Sequence, residues 1–388
     1  MYSILSFFSF SLPLPVIFTI CGTVLVTALI FMQHLFDKDQ DLPKIHYKES
    51  SFANYILKKC RRMSQPFTPP FWARNAHVQT IMGTFLGKVE FVFEREYLQM
   101  RDKGIIALDW GECLSPKKSC PVLIVIPGLT GDAGGVSFLC KRAKDKGFRT
   151  VVFNKRGHGN SPLTTPRLQS FGDPTDIRQA VKYIHGKYPS AKLVAVGISA
   201  GSALLCSYLG EYGSSVYLSA AVAIGAGYEA ESLFNGGVRP PYETLLLWGL
   251  KKIICLHSLA LSKVIDITSA LKCRTLGQFE ERVYCKLYGY RNMTQYWEKN
   301  EPMRDIDDVA IPVLCITSLY DPVCIKDKIP LDAFKVYPNF MLITTQAGGH
   351  CGFIESTTLE SWSEKLAVDY LNAALDFVET GHSRTKTL

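Results

Sequence analysis

No charged side chain occurs between Met1 and Phe36 of this 388-residue chain; the first is Asp37. The stretch therefore lacks the basic start of a cleaved secretory leader, and its small-x-small cleavage site is poor as well. The twelve cysteines contain no Cys-x-x-Cys pair, which removes the usual spacing of a structural zinc site or a dithiol redox motif. They read as mostly reduced core thiols. The net charge of +8 is not gathered into a stripe of lysines and arginines, so a nucleic-acid surface has no support. The Gly-rich run Arg156-Gly157-His158-Gly159-Asn160-Ser161 lacks the Gly-Lys-Ser/Thr ending of a phosphate loop and reads as a structural loop. Internal repeats and low-complexity tracts are missing too.

What is present is a chain 47% hydrophobic and 20% charged, the composition of a folded protein. Residues 16–32 are continuously apolar or small, and with their neighbours they give an expected span over residues 14–36, about the length that crosses a bilayer. The expectation is a single-pass N-terminal anchor (residues 1–36), followed by a polar linker (37–70). Lys38, Lys44, Lys48, Lys58, Lys59, Arg61 and Arg62 follow the span, and the positive-inside rule would put the rest of the chain in the cytosol. A single glycosylation sequon, Asn292-Met293-Thr294, would be used only in a lumen.

Beyond residue 88, strand-like and helix-like segments alternate. Residues 90–98 alternate in polarity, 104–110 pair with them, and 121–126, 150–154, 193–198, 217–224, 313–317 and 341–344 are short apolar runs. Helical patterns at 136–146, 176–186, 203–211 and 359–378 separate the later runs. Eight such strands with helices between them predict a mostly parallel α/β sheet covered on both faces. The alternation stops over residues 228–308. That segment is helical and rich in Leu245, Leu246, Leu247, Trp248, Tyr288, Tyr290, Tyr296 and Trp297, the content of a lid over an apolar substrate.

The run at 193–198 ends in Gly197-Ile198-Ser199-Ala200-Gly201, a Gly-x-Ser-x-Gly turn between strand and helix. This is the context of a nucleophile elbow in an α/β-hydrolase fold. A serine hydroxyl needs a general base, and the base an orienting acceptor. In this fold the chain order is Ser, acid, His. Asp321 follows the seventh predicted strand and His350 the eighth, so both fall at strand ends beyond the serine. The predicted set is Ser199, Asp321 and His350, with Asp327 and Asp332 as rival acids. The oxyanion donors are expected at the N–H of Ala200 and the N–H of Leu129, in Pro127-Gly128-Leu129-Thr130-Gly131, with Thr130 as alternative. His77 precedes the core sheet and reads as structural. No metal or organic cofactor is called for.

These residues carry a resemblance to the AB hydrolase type 4 family. The matching points are Arg74-x-x-His77-x-Gln79-Thr80, Pro127 to Gly131, Asn154-x-Arg156-Gly157, Val196 to Ser199, Arg274-Thr275-Leu276-x-Gln278-Phe279-x-Glu281-Arg282, Asp321-Pro322 and Gly348-Gly349-His350-x-Gly352-Phe353. The resemblance runs over about residues 70–355 and implies an α/β-hydrolase; the expected domain covers residues 71–380, with the lid at about 228–308. It also implies a single-pass membrane protein, with the endoplasmic reticulum as one candidate location, that cleaves lipid carboxylic esters drawn from the bilayer. The family's type II anchor and the charge rule disagree on sidedness, and both stay open. An acyltransferase with the same triad, and a non-catalytic lipid-binding or scaffold protein, are the alternatives. One position departs from the family pattern: Ser202 stands where the second glycine of Gly-x-Ser-x-Gly-Gly is usual. Its hydroxymethyl would either narrow the site or tighten the strand–helix packing.

Overall fold

The computed structural model describes residues 19, 22–24, 26–28, 31, 42–86, 88–115, 117–356 and 358–385. The chain divides into two units, Met1–Gln40 and Asp41–Leu388. In the first, all eight described residues are helical, and Thr23 and Thr27 each donate a hydroxyl hydrogen bond one turn back, to Thr19 and Thr23 carbonyls at 2.8 Å. The expected span over residues 14–36 otherwise lies outside the described residues. Among the described residues, no helix is long and apolar enough to cross a membrane.

The second unit is built on one sheet of nine strands: β1 (Lys44–Tyr47), β2 (Phe93–Gln99), β3 (Ile105–Gly111), β4 (Val122–Ile126), β5 (Arg149–Asn154), β6 (Leu193–Ile198), β7 (Leu218–Ile224), β8 (Val313–Ser318) and β9 (Phe340–Thr345). Their order is β1-β9-β8-β7-β6-β4-β5-β3-β2. The six central strands are parallel. β1 closes one edge and β3–β2 the other, all antiparallel. Val122 to Ile126 are all buried, as are all six residues of β8 and of β9. Strands covered on both faces have no need for alternation, so their sequences are continuous apolar runs.

One face of the sheet packs Leu123, Val125, Val194, Val196, Val222 and Leu314 against the helices Ser51–Lys59, Ser137–Asp145 and Trp362–Thr385. The other packs Ile124, Ile126, Ala195 and Cys315 against Thr175–Lys187 and Ala200–Tyr212. The eight expected strands are thus present, and β1 is a ninth. It falls within the stretch read as linker (37–70), where Ala53, Ile56, Met63 and Phe67 are also buried in the core. KIHY is too short and too polar to announce itself as a strand; it is held by pairing with β9 and by contact with the helix Leu331–Val336. Every described cysteine is a free thiol.

Residues 230–308, the stretch expected to form a lid, are largely helical, and their buried side chains form one apolar cluster with Leu168, Phe171, Ala203, Val323 and Cys324. Tyr296 and Trp297 are fully buried there with Phe234, Phe279 and Tyr284. These aromatics hold the insertion together and do not line its surface. Leu245 and Trp248, by contrast, are 59% and 67% exposed.

Candidate active site

Strand order reverses around β4: β5 lies on one side of it and β6 on the other. The crevice beyond the carboxyl ends of strands at such a reversal is where open α/β sheets bind ligands. Ser199 occupies the turn from β6 into the helix Ala200–Tyr212. Its backbone is held at φ 55°, ψ −123°, a conformation that costs a non-glycine residue about 1–3 kcal/mol. The turn closes because Gly197 and Gly201 have no side chains. A Cβ on Gly197 would lie 2.5 Å from the Gly201 carbonyl oxygen, and one on Gly201 would lie 2.0 Å from that of Ile126.

The structure brings Ser199, His350 and Asp321 together. Ser199 Oγ is 2.7 Å from His350 Nε2, and His350 Nδ1 is 2.9 Å from Asp321 Oδ2. Asp321 is buried, and its other oxygen accepts the N–H groups of Val323 and Cys324 at 2.7 and 2.8 Å. The carboxylate is thereby fixed toward the imidazole. Burial pulls the His350 pKa down, but the adjacent Asp321 carboxylate more than offsets this and leaves it well above 6.5. Asp327 sits in a short 3-10 turn and Asp332 begins another helix; neither bonds to His350.

Residues upstream of the sheet support this arrangement. The His350 N–H donates to Thr80 Oγ1 at 2.8 Å. Gln79 is fully buried, and its amide accepts from the Ile354 N–H (2.7 Å) and donates to the Ile354 carbonyl (3.3 Å). His77 stacks on Tyr242 of the lid and bonds its hydroxyl at 2.8 Å. The Arg74-to-Thr80 segment is therefore a brace between the histidine loop and the lid, a role no local sequence signal discloses.

Leu129 and Ala200 both pack against the lid cluster. Among the described residues, no acceptor in the protein engages either N–H, so both remain free for a ligand. The lid helix Tyr242–Leu256 crosses the same loop: a Cβ on Gly249 would come 2.9 Å from Thr130 Cγ2. Ser202 resolves the alternatives posed by its hydroxyl. Fully buried, its Oγ lies 2.7 Å from the Gly197 carbonyl and 2.9 Å from that of Ile224. It ties the elbow to the ends of β6 and β7 and leaves the site opening untouched.

The loop after β5 is anchored by a buried arginine. Arg156 is 1% exposed and forks onto Asp176 (2.5 and 2.8 Å) and Asp102 (2.6 and 2.9 Å). Chemically, an alcohol, an imidazole and a buried carboxylate in series can move a proton from Oγ to the ring and stabilise the resulting imidazolium. Asp321, Cys324 and His350 offer ligand atoms within 4.8 Å of one another, but the imidazole and carboxylate already satisfy each other by hydrogen bonding.

Residues 117–283 match the Hydrolase_4 family model, described as serine aminopeptidase, S33. The chain is 37% identical to human Protein ABHD15 over 347 residues, covering 86% of this chain and 74% of that protein. It is 27% identical to human Phospholipase ABHD3 over 354 residues, covering 88% and 86%. It is 27% identical to mouse Monoacylglycerol lipase ABHD2 over 364 residues, covering 85% of each. Among solved structures, a Pyrococcus furiosus esterase, Pf2001, superposes with a TM-score of 0.48 at 15% identity, over 73% of this chain and 92% of that one. The extent and identity of the match to Protein ABHD15, on top of the motifs already located, make this chain a member of the AB hydrolase type 4 family.

Proposed function

We propose that this chain is a serine carboxylic-ester hydrolase acting on lipid esters. The observation that carries the reading is the continuous hydrogen-bonded series Ser199–His350–Asp321, at 2.7 and 2.9 Å. In the proposed reaction His350 Nε2 takes the Ser199 proton as Oγ attacks the ester carbonyl. The Leu129 and Ala200 N–H groups receive the developing oxyanion. The tetrahedral adduct collapses as His350 protonates the leaving alcohol, giving acyl-Ser199. Water, deprotonated by His350, then adds to the acyl carbon, and the fatty acid leaves as Ser199 regains its proton.

The names of two relatives, a phospholipase and a monoacylglycerol lipase, support glycerolipid esters as the substrate class. The exposed Leu245 and Trp248 of the insertion support a long acyl chain. Membrane attachment through residues 14–36 is part of the proposal, resting on the uncharged apolar run at 16–32. The test is fatty-acid release from monoacylglycerol and phosphatidylcholine by membranes carrying wild-type or Ser199→Ala protein. Release that depends on Ser199 supports the reading. Ester products formed with an added alcohol, in place of free acid, would instead favour acyl transfer. A wild-type protein inert on both lipids and on simple esters would overturn it. Extraction at alkaline pH tests the attachment, which predicts that the protein stays with the membrane.

A further inference from the structure

Lys155 follows β5 directly and is buried, 6% exposed. Among the described residues it has no ion-pair partner. Its Nζ instead reaches three successive backbone carbonyls of the loop after β4: Pro127 at 3.3 Å, Gly128, and Leu129 at 3.2 Å. An ammonium has three N–H donors and no acceptor, so the three carbonyls use its full capacity. Burial pushes the Lys155 pKa down to about 7. An uncompensated buried cation is expensive to keep, and these contacts are all local to one loop.

That loop is the one whose Leu129 N–H we assign to the oxyanion. In a trans peptide the C=O and N–H of one unit point in opposite directions. Drawing the Gly128 carbonyl onto Lys155 therefore turns the Leu129 N–H away from the lysine. The Gly131 N–H donates to the same Gly128 carbonyl at 3.1 Å, so that peptide is held from a second side. The free side of Gly128 faces the serine: a Cβ there would be 3.3 Å from Ser199 Cβ and 3.8 Å from Oγ. We propose that Lys155 is a positioning residue of the oxyanion hole, holding the carbonyls of Pro127, Gly128 and Leu129 so that the Leu129 N–H faces the carbonyl attacked by Ser199. When protonated, its ammonium also favours the developing oxyanion.

The inference rests on the ester-hydrolase reading, and the experiment separates the two. Wild type, Ser199→Ala, Lys155→Met and Lys155→Gln are compared on a short chromogenic ester, together with the inhibition constant of a trifluoromethyl ketone, which forms a tetrahedral adduct on serine. Methionine keeps the stem without donors; glutamine keeps an amide donor pair on a shorter stem. With an unchanged thermal melt, Lys155→Met should lower kcat on the order of 10- to 100-fold. KM should stay within about 2-fold, and ketone affinity should weaken in parallel with kcat. Lys155→Gln should fall between the two. Wild-type kcat and ketone affinity in a folded Lys155→Met protein, or in Lys155→Gln if the methionine variant does not fold, would overturn the inference and leave the hydrolase reading standing. An inactive wild type would overturn the hydrolase reading itself.

Discussion

Replacing Ser202 by glycine, the residue usual at this position in the family, should weaken the fold and spare the chemistry. Ser202 Oγ is buried between the Gly197 and Ile224 carbonyls at 2.7 and 2.9 Å. Ile224 O also accepts the Ser199 N–H at 2.8 Å, so it keeps a partner in the variant. The loss is then one buried hydrogen bond, about 1 kcal/mol net. Glycine in the first turn of Ala200–Tyr212 adds backbone entropy, roughly 0.5–1 kcal/mol. For a unit the size of Asp41–Leu388, the unfolding entropy is about 0.7 kcal/mol per kelvin. The expected drop in Tm is therefore about 2–3 °C, measured by circular dichroism or dye-binding melts, with kcat/KM within about 3-fold of wild type. An unchanged Tm combined with a tenfold change in kcat/KM would refute the reasoning, because the hydroxyl would then be acting on the substrate and not on the strand ends.

Three further outcomes are expected. Ser199→Ala and His350→Ala should each abolish ester turnover while the melt is retained; turnover in either purified variant would contradict the proton relay. The base must be neutral to act, and the Asp321 carboxylate holds His350 well above 6.5, so kcat/KM should rise with pH on a limb above the ordinary imidazole value. Asp321→Asn should move that limb down and lower kcat on the order of 10⁴-fold, and a limb that stays put would show that Asp321 is not the controlling charge. Arg156→Met strips the buried Asp176 of its guanidinium partner and should cost about 3–5 kcal/mol, read as a lower urea midpoint; an unchanged midpoint would show that the pair contributes nothing net.

The parallel strands could be read because burial on both faces writes itself as uninterrupted β-branched and aliphatic residues, as in VLIVI of β4. Ser199, Asp321 and His350 could be read because each stands just past such a run, where the fold delivers side chains to one edge. β1 could not, since its four residues are stabilised by β9, nearly three hundred positions away, and not by their own pattern. The aromatic content of 288–297 reads as a substrate cover, but Tyr296 and Trp297 are buried in the apolar cluster beneath the insertion. Thr80 stands in a family motif, but its role, like that of Lys155, could not be read, for a related reason. Each acts by hydrogen bonding to backbone that is remote in sequence, the His350 N–H and the carbonyls of Pro127 to Leu129, and such partners leave no trace in composition or periodicity. The partners of Arg156, Asp102 and Asp176, could not be named without the fold.

The central claim is that Ser199 is an activated nucleophile. Membranes carrying wild-type or Ser199→Ala protein, treated with a fluorophosphonate probe and followed by mass spectrometry of the modified peptide, test it directly. The account predicts a covalent adduct on Ser199 in the wild type, prevented by Ser199→Ala and slowed by His350→Ala. A folded wild-type protein that takes up no probe, or takes it up equally without Ser199, would contradict the account.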